Sequence, residues 1–405
     1  MNADVPAGTP DRPESPDLPG LVRTARVIVC CGTGGVGKTT TSAAIALEGA
    51  RRGRAVIVVT IDPARRLANT LGIETIGDAP TEISRSRWDP AREADPGGRL
   101  SALMLDPKAT FDGLVQRYAA DQEQADRILE NRFYRNISGV LGGTQEYMAM
   151  EKLHELVDTG AYDLIVIDTP PTRHALDFLD APNRLIRLLD NRVFRIMMMP
   201  TRASMKVAGS AVQAFFRRIA RVVGAAVIDD VVAFFRAFEG MEAGFRARAA
   251  EVRAILADEH TAFVVVTSPR PDAIAESEYF ARRITEQGLH VGTVIANRVH
   301  PEFGGPSVDE LRRCSARTGS SDGDDATTLR ALLDNLADLR TVADRERVTL
   351  QQAHDSFGHH PIFVPFLARD VHDFAGLHAI GRALMAATTP PPSRPSASGP
   401  AAVSG

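Results

Sequence analysis

A chain of 405 residues can bury a large core, and its 44% hydrophobic and 24% charged content is ordinary for a globular protein. Lysine and arginine number 47 against 51 aspartate and glutamate, a net charge of −4, which excludes the basic excess expected of a nucleic-acid-binding body. Three cysteines (Cys30, Cys31 and Cys314) form no disulfide framework, and no uninterrupted apolar run reaches the ~18 residues of a membrane span, so a reducing, cytoplasmic setting is expected.

Residues 1–21 are rich in proline, aspartate and glycine and are expected to be a disordered tail, with folding beginning near Val22. The first expected strand, Arg26–Cys31, runs into Cys31-Gly32-Thr33-Gly34-Gly35-Val36-Gly37-Lys38-Thr39-Thr40, a match to G-x-x-x-x-G-K-[ST] followed by a helix-permissive stretch. Glycines let backbone N–H groups crowd a phosphate without Cβ clashes, and the helix N-terminus adds partial positive charge. Gly34, Gly35, Val36, Gly37, Lys38, Thr39 and Thr40 are therefore the expected nucleotide cradle. Lys38 would reach the β- and γ-phosphates and Thr39 would ligate Mg²⁺. The pattern points to ATP or another nucleoside triphosphate, at one site per chain.

A second strand, Ala55–Thr60, precedes Asp62, placed to orient an attacking water. A third is expected at Leu100–Leu105, followed by a helical insertion over about 110–157. The fourth, Leu164–Asp168, ends in a carboxylate suited to Mg²⁺, and the Thr169-Pro170-Pro171-Thr172 that follows is a stiff segment able to shift with the γ-phosphate. Residues 173–260 then read as helix almost throughout. Apolar stripes run from Val212 to Val227 and from Val231 to Phe245, with a methionine run at Met197–Met199. Strands Ala262–Thr267, Val291–Asn297 and Ile362–Val364 complete the series, a loop is expected over 303–325, and 387–405 is a second proline- and serine-rich tail. Continuous apolar strands alternating with helices predict a doubly wound, mostly parallel α/β sheet with an inserted helical subdomain, all within one domain over 22–386.

Gly-Gly-Val-Gly-Lys-Thr-Thr, Asp62-Pro63-Ala64 and Asp168-Thr169 with Pro171-Thr172 and His174 resemble the P-loop, switch I and switch II of the arsenical-pump ATPase (ArsA) family. This deviant Walker A class includes ATPases that target tail-anchored proteins. The resemblance runs from about Arg26 to Leu377 and is nearest to the anion-transporting ATPases of actinobacteria. It implies that Asp62 activates water, Lys38 and Thr39 hold phosphate and Mg²⁺, and Asp168 supports the ion through water. It also implies that Asn297 reads adenine, that Pro365 and Phe366 flank the base, and that the chain works as a nucleotide-closed dimer. The implied client is an apolar helix or a membrane or transport partner, which would place the chain peripherally at a membrane.

Three departures from that family are visible. Thr33 stands where a lysine usually reaches across the dimer, so Arg65, Arg66 or Arg173 would have to substitute, or a paralogue would have to supply the lysine in a heterodimer. In the second case the chain is a weakly hydrolysing regulatory subunit. Adjacent Cys30 and Cys31 face opposite sides of a strand and cannot chelate together, which argues against metalloid sensing and a zinc clasp. The helical stripes suit a client groove in kind, although such stripes more commonly face a core. A small-molecule kinase fits poorly, since the motifs match a hydrolase.

Overall fold

The computed structural model describes residues 17–62, 66–73, 76–137, 144–170, 230–318, 324–357 and 361–386, apart from 232, 235, 238 and 239. Along β1 (Val27–Gly32) successive side chains point to opposite faces of the sheet, and both faces are covered. Val27, Val29 and Cys31 enter one apolar cluster, while Ile28 and Cys30 enter the other. The same division by alternate residues recurs in β2 (Ala55–Thr60), where Ile57 and Val59 oppose Val56 and Val58. Two separate cores result, one on each side.

The remaining strands are β3 (Thr81–Ile83), β4 (Arg99–Met104), β5 (Leu164–Asp168), β6 (Thr261–Thr267), β7 (Val291–Val299) and β8 (Ile362–Pro365). They lie in the order β3-β4-β2-β5-β1-β6-β7-β8, all pairs parallel except β3 with β4. This is the doubly wound, mostly parallel sheet that the sequence predicts. Edge strand β3 was not expected, because Thr81-Glu82-Ile83 is short, polar and largely exposed and leaves no apolar run to detect.

Helices α1 (Leu18–Thr24), α2 (Lys38–Arg51), α3 (Arg66–Thr70) and α4 (Arg85–Trp88) come before β4, and α5 (Pro107–Tyr118), α6 (Gln122–Leu129), α7 (Arg132–Ile137) and α8 (Thr144–Thr159) before β5. Later come α9 (Glu242–Ala257), α10 (Pro271–Glu286), α11 (Val308–Thr318), α12 (Asp324–Phe357) and α13 (Phe374–Ala386). Side chains of α1, α2 and α13 pack on one face and those of α8, α9, α10 and α12 on the other. Small residues Ala43, Ala44, Ala46 and Ala50 bring α2 close to the sheet, and Leu47 between them is wholly buried. Truncating such a leucine costs about 2–5 kcal/mol.

Two expectations about order need correction. The expected tail over 1–21 overlaps α1, whose N-cap Asp17 accepts from the Gly20 amide at 2.8 Å, with Leu18 and Val22 fully buried. The loop expected over 303–325 contains α11 and the start of α12. Ser307 and Glu310 form a reciprocal cap there: the Ser307 amide donates to Glu310 Oε2 at 2.7 Å, and the Glu310 amide to Ser307 Oγ at 3.3 Å. That Ser-x-x-Glu signal outweighs the glycines and serines around it.

Of the long helical stretch, the described stripe members Phe234, Met241 and Phe245 are buried in the core and Val231 is half-buried, Phe234 stacking on Tyr134 at 5.9 Å between ring centres. The stripe from Val212 to Val227 and the run Met197–Met199 lie outside the described residues, as do Arg65, Arg173 and His174. No helix among the described residues is long and apolar enough to cross a membrane.

Candidate functional site

The site is built where β1 gives way to α2. Gly32 closes the strand with φ 146°, and a Cβ there would sit 2.0 Å from the Val266 carbonyl oxygen of neighbouring β6. Gly37, the N-cap of α2, adopts the left-handed conformation with φ 95°, and a Cβ on it would meet Asn297 Nδ2 at 2.2 Å. Only glycine fits either position. The loop between them curls so that Lys38 Nζ donates to the carbonyls of Gly32 (2.9 Å) and Thr33 (2.7 Å). Burial lowers the Lys38 pKa and the nearby Asp168 carboxylate opposes that shift.

Beneath the loop the parallel register sets Cys30, Thr60 and Asp168 side by side on β1, β2 and β5. Asp168 is fully buried, and its Oδ2 accepts from Thr39 Oγ1 at 2.7 Å and Thr60 Oγ1 at 3.0 Å. Its Oδ1 has no hydrogen-bond partner among the described residues. Burial pushes the carboxyl up to about 6, against the two hydroxyls and Lys38, which pull it down. A buried carboxylate with one oxygen satisfied and the other bare, beside a threonine hydroxyl, suits a hard divalent cation held directly or through water.

Thr60 does a second job. Its hydroxyl oxygen accepts from the Asp62 amide at 3.2 Å, so one side chain holds both the Asp168 carboxylate and the Asp62 backbone in place. The Asp62 carboxylate is 12% exposed, with Arg66 Nε 3.8 Å from Oδ2. Thr169 fixes the start of the segment after β5 by donating its hydroxyl to the Cys30 carbonyl at 2.8 Å.

These groups border a cleft of about 280 Å³. Gly35, Gly37, Lys38, Thr39 and Thr40 line it from the loop, Asp62 and Arg66 from the β2 side, and Arg298 from the end of β7. Of the expected cradle, exposed Gly34 and buried Val36 are absent from that lining. Asn297 sits behind the loop: its Nδ2 donates to the Val36 carbonyl at 2.8 Å and its Oδ1 accepts from the Arg298 amide at 3.0 Å. Pro365 and Phe366 also lie outside the lining. Phe366 is 52% exposed and stacks on His300, with 5.3 Å between centroids.

Thr60 and Arg298 were not singled out from the sequence. Thr60 carried a signal, as the polar end of the otherwise apolar Ala55-Val56-Ile57-Val58-Val59, whereas nothing local distinguishes Arg298. Cys30 and Cys31 are buried on opposite faces, and no cluster of metal-ligating side chains occurs among the described residues. Thr33 is only 7% exposed.

A family model described as "Anion-transporting ATPase" matches residues 25–322. The chain is 25% identical over 320 residues to the ATPase GET3 of Malassezia globosa, covering 78% of this chain and 84% of that protein. It is 26% identical over 361 residues to ATPase ASNA1 homolog 1 of Paramecium tetraurelia (88% and 91% covered). An uncharacterised protein of Streptomyces coelicolor is 28% identical over 279 residues (68% and 63% covered). The phosphate-type loop, the two strand-end carboxylates and a match spanning most of the chain agree, and the chain belongs to the ArsA family of anion-transporting ATPases and is an ATPase.

Proposed function

We propose that the chain binds ATP with Mg²⁺ in this cleft and hydrolyses it with Asp62 orienting the attacking water. The observation that carries the metal-dependent reading is Asp168, whose buried Oδ1 has no hydrogen-bond partner among the described residues while Oδ2 takes two hydroxyls. Thr39 and Asp168 would hold the ion, Asp168 through water, and the ion would neutralise charge on the β- and γ-phosphates. Lys38, loop amides and the N-terminus of α2 bind the phosphates, and Asp62 accepts the water's proton as the water oxygen bonds the γ-phosphorus and the bond from that phosphorus to the bridging oxygen breaks, leaving ADP and inorganic phosphate. Asn297, Pro365 and Phe366 belong to the same reading as the base-binding end.

The wider cycle is part of the proposal. Two such chains close around nucleotide, and closure reshapes the helical insertions, which engage an apolar helical client or a membrane or transport partner. A differential affinity of about 1–3 kcal/mol between open and closed states suffices for that coupling. The folded unit runs from Asp17 to Ala386 and works in the cytoplasm or peripherally at a membrane.

Thr33 favours a second reading. Its short, buried side chain cannot deliver charge to a partner, so a paralogue bearing lysine would complete the site and this chain would act as a weakly hydrolysing regulatory subunit. Steady-state turnover of the purified chain with and without Mg²⁺, at several protein concentrations and beside Asp62→Asn, separates the two. Mg²⁺-dependent activity that rises with concentration and vanishes in the variant supports the self-sufficient enzyme. Tight ATP binding with negligible turnover in both supports the regulatory subunit.

A further inference from the structure

Arg298 is held in an unusual backbone conformation. It and Arg92 are the non-glycine residues with positive φ among those described, at 63° and 56°. A side chain bearing a Cβ adopts that region at a cost, and such strain persists where the surroundings impose it, often at functional sites. Here two features of β7 impose it. The β7–β8 register shifts between Asn297 and Val299, a bulge of the kind that re-aims a side chain. Asn297 then clamps the bulge, accepting from the Arg298 amide while donating to Val36 in the P-loop.

The result is aim. The Arg298 side chain turns back over the P-loop, Nη1 donates to the Gly35 carbonyl at 3.1 Å, and the residue lines the nucleotide cleft while remaining exposed. A guanidinium carries five N–H donors in a fork that matches phosphate oxygens, so one donor on Gly35 leaves others for a ligand. The other cations of the lining are engaged differently: Lys38 Nζ on the Gly32 and Thr33 carbonyls, Arg66 beside Asp62. In the sheet, β2 and β7 lie two places from β1 on opposite sides. Arg298 therefore enters the cleft from the flank opposite Asp62 and the terminal phosphate it would serve.

We infer that Arg298 is a nucleotide-binding residue that grips the inner, α- and β-phosphates, supplying in cis a cation that Thr33 does not. The inference rests on the ATP-site reading above. It predicts a contact present in ATP and ADP alike, so it acts on affinity more than on turnover.

The test is equilibrium binding of ADP with Mg²⁺, together with kcat, KM and nucleotide-free thermal unfolding, for wild type, Arg298→Met, Arg298→Lys and Arg298→Gly. Loss of a hydrogen-bonded charge should weaken ADP binding roughly 10- to 100-fold in the Met and Gly variants and raise KM by a similar factor, with a smaller fall in kcat. Arg298→Lys should retain part of the affinity. Because glycine suits φ 63°, Arg298→Gly should unfold no earlier than wild type, so affinity falls while stability does not. An arginine that acted only through the stability of the fold cannot give that combination. ADP affinity unchanged in the Met and Gly variants overturns the assignment of Arg298 alone, as does a large fall in kcat with ADP affinity intact. A wild-type chain that binds no ADP overturns the ATP-site reading and this inference with it.

Discussion

The Thr39 hydroxyl donates to Oδ2 of Asp168 across 2.7 Å, joining the first turn of α2 to the end of β5. The bond sets the start of α2 against a buried carboxylate.

Asp168 should trade stability for activity. Burial pushes its carboxyl from 3.8 up to about 6, so its favourable contribution is complete below about pH 4 and is lost as pH rises through 6. Asp168→Asn keeps an acceptor for Thr39 and Thr60 and removes the buried charge. In Mg²⁺-free buffer it should melt close to wild type at pH 4 and above it at pH 8, by up to about 3 kcal/mol in stability. Turnover should fall by about 10²-fold or more. Melting curves at the two pH values check the first claim, and equal gaps at both would contradict it.

Asp62→Asn is isosteric and keeps the backbone amide that Thr60 holds. ATP binding should stay within about threefold, while the rate of the chemical step drops by roughly 10²–10⁴ through loss of the proton acceptor. Single-turnover hydrolysis beside nucleotide titration separates the two effects. Retention of wild-type turnover would remove Asp62 from its assigned role.

Gly37→Ala places a Cβ 2.2 Å from Asn297 Nδ2 on a backbone with φ 95°. The variant should lose ATP affinity by roughly tenfold or more, from strain of about 1–3 kcal/mol at the loop that cradles phosphate. Adding Asn297→Ala removes the clash but leaves the φ and takes away a proposed base-binding side chain, so affinity should not recover. Full recovery in the double variant would assign the whole effect to contact with Asn297.

Asp89, 5% exposed, accepts from Arg85 Nε (3.0 Å) and Nη2 (2.9 Å) and from the amides of Glu93 (2.9 Å) and Ala94 (3.2 Å). Burial raises its pKa, but Arg85 and the two amides outweigh that and hold it below the ordinary carboxylate value. A depressed carboxyl contributes stability that is present above the unfolded pKa and lost as pH falls through the folded one. Asp89→Asn should therefore destabilise by about 1–3 kcal/mol at pH 7, where it weakens a charge-assisted hydrogen-bond set. Denaturant unfolding at pH 7 and pH 3 should show the difference shrinking in acid; a constant difference would rule out the charge as its source.

Much of the fold was legible because its signals are local. Seven of the eight strands among the described residues are apolar runs that stand out, and β3 is missed for want of one. The Ser307–Glu310 cap was written in the chain too, yet the glycines and serines nearby obscured it. Helix α1 was hidden in the same way, by the proline-rich composition of the segment before it.

Sequence by itself pointed to the proposed nucleotide cradle, since Gly32 to Thr40 are contiguous and the chemistry of glycine, lysine and threonine in that order is local. It also named Asp62 and Asp168, each at the end of an apolar strand. Tertiary structure alone decided what those residues do to one another. Parallel register brings Thr60 and Asp168 abreast although 108 residues separate them, so one hydroxyl spans both carboxylate segments. A bulge in β7, far along the chain, turns Arg298 onto Gly35 and commits the amide of Asn297 to Val36. Side-chain identity states which bonds are possible; strand register and backbone strain select which are made.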